Sequence, residues 1–171
     1  MKKTVAVFAV ILSIFCISIF DGCGNEYKNK VIVSIEFGST DYMGGRMYNK
    51  FYDFQKMNYS TQHLWGAEPY PDHWEQEDID LWDSLANYQV RGTFTEEKAA
   101  EFFENIKKHG IFELKKRYEP KELILDGGGW CLTITFDDGT AFTSSGSNCS
   151  PKQFKEIRKD FEILTGYELF E

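Results

Sequence analysis

Positive charge is scarce in this sequence: 19 lysines and arginines stand against 27 aspartates and glutamates, for a formal net charge of −8 at pH 7. Without a basic stripe the chain offers nucleic acid no electrostatic footprint and is a poor match for anionic lipid surfaces. Histidine is limited to His63, His73 and His109. None of them stands in the two-histidine helical spacing of a zinc motif, and Cys131 and Cys149 are not closely paired as zinc cysteines usually are. No cofactor loop replaces them. Gly127, Gly128 and Gly129 precede a strand rather than a helix, and no phosphate-loop lysine follows. Ser144, Ser145 and Ser147 lack the strand-to-helix elbow and the positioned base that a serine nucleophile needs. Internal repeats and low-complexity segments are absent as well. The expectation is a chain with no metal, no cofactor and no catalytic constellation.

What is present begins at the N-terminus. Met1, Lys2 and Lys3 form a positive start, and Thr4 to Phe20 is a run of apolar and small residues. The run is short for a membrane span and is followed at once by polar residues, so residues 1–22 are expected to be an export signal peptide. Around Cys23 the stretch "FDGCGN" resembles the bacterial lipoprotein signal, in which the cysteine becomes lipidated and N-terminal. Gly22 and Cys23 match that pattern; Phe20 and Asp21 depart from it, and an uncleaved anchor or a freely secreted form are the alternatives. The resemblance implies lipid attachment at Cys23, a flexible tether over 23–30 and a single domain over 31–171. Loss of Lys2, Lys3 and Asp21 removes one net positive charge, so the exported part is expected to carry −9. Two cysteines would remain in it, Cys131 and Cys149, either as one disulfide or as two free thiols.

Periodicity organises the rest. Val31 to Phe37 alternates as a first strand, and the aromatic run Arg46 to Met57 as a second. Residues 58–86 suggest a short helix beginning near Pro71 and Asp72, or a long ordered loop. Asn87 to Phe94 predicts a third strand with Tyr88, Val90 and Phe94 on one face. Thr95 to Gly110 has a threonine cap, glutamates in the first turn, lysines in the last and a terminating glycine, which predicts a helix. Trp130 to Phe136 alternates, and Asp138-Gly139 signals a two-residue turn. In that register Phe136 faces Ala141 and Cys131 lies opposite Gly146, near Cys149. Ser150, Pro151 and Gln153 form a helix start, and Phe154, Ile157, Phe161 and Leu164 an apolar stripe. The predicted fold is α+β: a mostly antiparallel sheet in the order β-β-β-α-β-β-α, with two helices packed on one face.

The segment from Tyr88 to Leu169 resembles a pattern in small exported proteins of Gram-positive, clostridia-like bacteria. Its marks are a Trp-bearing strand, an Asp-Gly turn, a serine- and glycine-rich return strand and a Pro-started helix. That resemblance implies a fold and a compartment and assigns no catalytic residue.

One stretch invites a functional reading. Asp72 to Asp83 is rich in carboxylates but lacks the glycine and terminal glutamate of a calcium loop. Trp65, Trp74 and Trp82 would serve as contacts for a glycan or another envelope protein if exposed, and as core if buried. The sequence therefore favours a non-enzymatic, membrane-tethered extracytoplasmic domain that binds a ligand or protein. An envelope hydrolase using the carboxylates of 72–83 with a histidine is the alternative.

Overall fold

The computed structural model describes residues 27, 30–40, 46–65, 75–85, 87–122, 127–167 and 169, with the side chains of 46, 47, 64, 65 and 82–85 outside that set. The expected signal, Cys23 and most of the 23–30 tether also lie outside the described residues. The class is the expected one, α+β with a mostly antiparallel sheet.

Its strands are β1 (Ile32–Thr40), β2 (Arg46–Asp53), β3 (Asn58–Trp65), β4 (Gln89–Thr93), β5 (Arg117–Tyr118), β6 (Gly129–Phe136) and β7 (Ala141–Ser147). They form one sheet in the order β4-β3-β2-β1-β6-β7-β5, antiparallel except for the β5–β7 pair. Helices α1 (Gln76–Leu85), α2 (Glu96–Lys108) and α3 (Phe154–Thr165) complete the described elements, with a short 3-10 turn at Ile111–Glu113.

The element order corrects the expected β-β-β-α-β-β-α in three places: it gains the strands β3 and β5, and a third helix, α1, in the segment expected to hold a short helix or an ordered loop. The run from Arg46 to Met57 is not one strand, because Asp53 ends it: its carboxylate accepts from the backbone N–H of Gln55 and Lys56 at 3.0 and 2.9 Å. Met57 then turns the chain at φ 51°, and β3 runs back along β2. Burial alone would raise the pKa of Asp53, but the Lys56 ammonium and these two N–H groups outweigh it and hold the carboxyl below its ordinary range. The second addition is the two-residue β5, which covers part of the free edge of β7.

Three local expectations also shift. In β4 a bulge between Tyr59 and Ser60 of the partner strand leaves Arg91 unmatched, since Gly92 pairs with Tyr59 and Val90 with Ser60. A bulge breaks alternation, so Phe94 is buried against Phe54 while Val90 is 66 % exposed and Tyr88 lies on the opposite face. In the β6–β7 hairpin Gly139 adopts φ 79° and the Phe136 N–H bonds to Thr140. That is a three-residue loop with a glycine bulge rather than a two-residue turn. Every pair moves by one: Cys131 faces Ser145, and Trp130 faces Gly146. Finally, α3 begins at Phe154 without a side-chain cap from Ser150; residues 151–154 form a turn ahead of it.

The core occupies one face. Ile35, Phe37, Tyr52, Trp130, Leu132, Ile134 and Phe136 are buried there. Phe161 of α3 meets Tyr52 at 4.8 Å and Phe102 of α2 at 4.8 Å between ring centroids. Complete burial of such a ring contributes roughly 1.5–3 kcal/mol. Helix α2 begins where its sequence said it would, with the Thr95 hydroxyl accepting from Lys98 N–H at 3.3 Å, and it ends at Gly110 with φ 74°. A polar tie joins it to α3: His109 Nδ1 lies 2.7 Å from Asp160 Oδ2. Burial pushes the Asp160 carboxyl up, and His109 opposes that rise.

Candidate functional site

The residues singled out by sequence fall in separate places. Trp65 closes β3, paired with Arg46, and its side chain lies outside the described set, as do Trp74 and the side chain of Trp82. The acidic run forms α1, where Asp78 accepts from the Glu75 N–H at 3.0 Å and Asp80 from the Gln76 amide at 2.8 Å. Both carboxylates therefore serve their own helix. His109 is engaged with Asp160, His63 sits in β3 beside Tyr48, and His73 is outside the described residues. Among the described residues no group of three or more histidine, cysteine or acidic side chains is placed to hold a metal ion.

The glycine and serine stretch is structural. A side chain at Gly128 would meet the Thr40 carbonyl at 2.7 Å, and one at Gly127 would collide with Asn148. The Gly129 N–H donates to the Thr40 hydroxyl at 2.9 Å. Gly128 and Gly129 allow close approach to Thr40 of β1, and Gly127 leaves room for Asn148. Ser144 is buried with its hydroxyl on the Lys115 carbonyl at 2.7 Å. Cys131 and Cys149 are both free thiols, so the disulfide considered from sequence is not formed. The one-residue register shift explains why: Trp130 points to the core and donates from Nε1 to the Cys149 carbonyl at 2.8 Å, so Cys131 next to it points the other way.

That other way leads to the face of the sheet opposite the core. On β1, β6 and β7 it carries Ser34, Glu36, Thr133, Thr135, Thr143, Ser145 and Ser147, most of them short and polar. At its centre the pattern breaks into a cluster. Tyr88, just ahead of β4, lays its ring against Phe51 at 5.5 Å and donates its hydroxyl to Glu36 Oε1 at 2.6 Å. Asn49 donates to Gln62 Oε1 at 3.1 Å. Gly38 lies beneath: a Cβ there would stand 2.7 Å from both Asn49 Oδ1 and Cys131 Sγ. Only glycine leaves room for those two side chains to meet over β1.

The electrostatics of this cluster favour the neutral forms of Tyr88 and Cys131. Burial and donation to Glu36 hold the Tyr88 phenol well above its usual range. Burial also raises the Cys131 thiol; a backbone hydrogen bond with Gly38 opposes this and the Glu36 charge reinforces it. A thiol raised in this way stays protonated near neutral pH and is a weak nucleophile. The arrangement supplies a carboxylate, two amides, a phenol and an aromatic ring at one spot, which is chemistry for holding a polar group. Sequence reasoning missed it because Glu36, Asn49, Gln62 and Tyr88 are far apart in the chain. The available signal was the run of polar residues on the second face of β1, with a glycine at 38. No protein family, curated protein or solved structure matches the chain.

Proposed function

We propose that this chain is an extracytoplasmic domain tethered to the cell membrane by lipid on Cys23, and that it binds a protein or glycan partner through the polar cluster around Gly38. The observation that carries the binding reading is Tyr88 lying along the open sheet face with its hydroxyl on Glu36. An aromatic ring beside a carboxylate and two amides suits a ligand that is both ring-bearing and polar. The protonated state of Cys131 supports holding over covalent chemistry. The tether reading rests on the positive start, the apolar run and the lipoprotein-like residues around Cys23, and the likeness of 88–169 to small exported domains accords with it. No described helix is long and apolar enough to cross a membrane. The hydrolase reading gains no support from Asp78 and Asp80, which are bonded within α1, or from His63, whose charged neighbours are cations.

Two arms test this reading. Cells fed a labelled fatty acid should label the wild type and leave Cys23→Ala unlabelled; label on the variant, or none on the wild type, overturns the tether. A photoreactive side chain placed at Thr143, on the open face, should form a membrane-localised adduct that Tyr88→Ala abolishes. An adduct indifferent to Tyr88, or matched by a probe at the exposed Lys121, overturns the binding face.

A further inference from the structure

We propose that the end of the sheet where β1 begins is the membrane-facing surface of this protein, and that Tyr27 clamps the chain there. The inference rests on the lipid tether proposed above and adds which part of the domain meets the bilayer. Tyr27 lies four positions beyond Cys23, with Gly24, Asn25 and Glu26 between them. Its ring stacks on Phe136 at 5.1 Å and on Phe112 at 5.5 Å, and meets Phe142 edge-on at 5.4 Å. Its carbonyl accepts from the Lys30 N–H at 3.2 Å. The Lys30 ammonium in turn lies 5.6 Å from the Phe136 ring centroid, donates to the Thr140 hydroxyl at 2.6 Å and pairs with Asp138 at 3.1 Å. The Val31 carbonyl then accepts from the Asp137 N–H at 2.9 Å. Four steps of extended chain span at most about 14 Å, whereas the eight steps from Cys23 to Val31 would span about 28 Å. Docking of Tyr27 therefore halves the reach of the tether.

That end of the sheet has the composition of an interfacial surface. Register gathers there the start of β1, the turn at 53–57 and the loop between β6 and β7, since Ile32 pairs with Phe136 and Ser34 with Asp53. Tyr27, Ile32, Met57, Phe103 and Phe112 pack on the core but are only partly buried. All five lie at this end. Phe112 is placed by Phe136 at 6.1 Å, and Phe103 by Phe54 at 4.6 Å, whose N–H donates to the Val33 carbonyl. The lysines beside them are already neutralised, Lys30 by Asp138 and Lys56 by Asp53 at 2.9 Å. The exposed Asp137 and Glu96 add only negative charge, so contact with the bilayer calls for no anionic lipid. Half-exposed rings and aliphatic groups among paired charges suit the headgroup boundary, where side chains with one apolar and one wet edge are favoured. Gly38 stands six residues along β1 from Ile32, about 20 Å at the rise of a strand. The cluster around it is thereby held clear of the lipid and open to a partner.

The test measures height above the bilayer, with the full-length lipidated protein in phosphatidylcholine vesicles. Fluorophores are attached at Ala141→Cys or Ser147→Cys, exposed positions at the two ends of β7 on one face, in a Cys131→Ser, Cys149→Ser background. Energy transfer to labelled headgroups should place the probe at 147 about 20 Å further from the surface than the probe at 141, the length of six strand residues. Tyr27→Ala should abolish most of that difference, because the longer free tether lets the domain tumble. Tyr27→Phe, which keeps the ring, should retain it and guards against a folding defect. Adding phosphatidylglycerol should leave the difference unchanged. Three results overturn the clamp while the tether reading stands: equal heights on lipidated protein, a difference indifferent to Tyr27→Ala, or one lost on phosphatidylglycerol. In the last case Lys155 and Lys159 of α3 would be drawing the sheet flat onto the lipid. Mass spectrometry of the same preparation reads the anchor itself: an unlipidated Cys23 overturns the tether reading and this orientation with it.

Discussion

Strands β1, β2 and β6 contribute to both faces of the sheet, and the two faces are built on different principles. Toward α2 and α3, alternate residues are large rings and branched chains, with Phe37, Tyr52, Leu132 and Phe136 buried to 1 % exposure. Toward solvent, most of the residues between them are serine, threonine, glutamate, asparagine and glycine, with Phe51 and Cys131 among them. Because strand side chains alternate strictly, a single step along the chain separates a position that holds the fold from one available for recognition. Apolar packing is concentrated on one parity and most of the polar side chains on the other.

The sharpest contrast is between Phe161 and Thr143. Phe161 is fully buried and contacts rings from β1, β2 and α2. Phe161→Ala should lower unfolding free energy by about 3–5 kcal/mol, the range for a large buried aromatic. Thr143→Ala, exposed on the open face, should change it by no more than about 0.5 kcal/mol. Denaturant titration of the two variants checks both values, and comparable losses would break the division between faces.

His109 and Asp160 lie on the stabilising side but are polar, so they test whether that side depends on packing alone. His109→Ala leaves a buried carboxylate without its partner and should destabilise by roughly 1–3 kcal/mol. The pH dependence has a definite sign. Asp160 has its folded pKa raised, so its contribution to stability is complete below the unfolded pKa and is lost as pH rises through the folded one. Removing His109 deletes the main group opposing that rise, so the penalty of the variant should deepen as pH rises above the ordinary carboxylate range. Parallel stability curves for wild type and variant would show that the pair is electrostatically inert. At the hairpin joining β6 and β7, Gly139→Ala places a Cβ at φ 79° and should cost about 1 kcal/mol. Its neighbour Asp138, held down to about 2 by Thr140 and Lys30, stabilises only above the ordinary carboxylate range and loses that contribution as pH falls toward 2.

The buried parity was legible in the sequence and the polar one was not. Phe102 and Ile106, or Phe154, Ile157 and Phe161, repeat at helical spacing; Trp130 to Phe136 alternates; Thr95 and Gly110 mark ends by simple stereochemistry. The fold class followed from these. Strand β3 escaped because "NYSTQHLW" carries polar residues on both faces, Thr61 and His63 beside the buried Tyr59 on one and Asn58, Ser60 and Gln62 on the other, and pairing with β2 and β4 makes it a strand. The turn before it contains no glycine or proline; Asp53 supplies the bonds instead. The Gly38 cluster depends on register across three or more strands. The split of Tyr88 and Val90 from Phe94 depends further on one bulge, and a bulge leaves no mark in local composition. The tryptophans drew attention as large side chains, whereas the contacts found on the open face are made by Tyr88 and Phe51.

The smallest effect probes the open face through its charge. Glu36→Gln keeps an acceptor for the Tyr88 hydroxyl and removes only the negative charge, so stability should change by less than about 1 kcal/mol. The same charge contributes to holding the Cys131 thiol protonated. Its loss should lower that pKa and raise the fraction of thiolate, the form that reacts. In a Cys149→Ser background, alkylation of Cys131 near neutral pH should therefore be faster in Glu36→Gln than in the parent. Gly38→Ala gives the steric counterpart, because its methyl group would push Sγ off the backbone without altering charge. If Glu36→Gln leaves the alkylation rate unchanged while Gly38→Ala alters it, the thiol is governed by contact alone. Glu36 would then be a partner of Tyr88 only, and the cluster would divide into two independent halves.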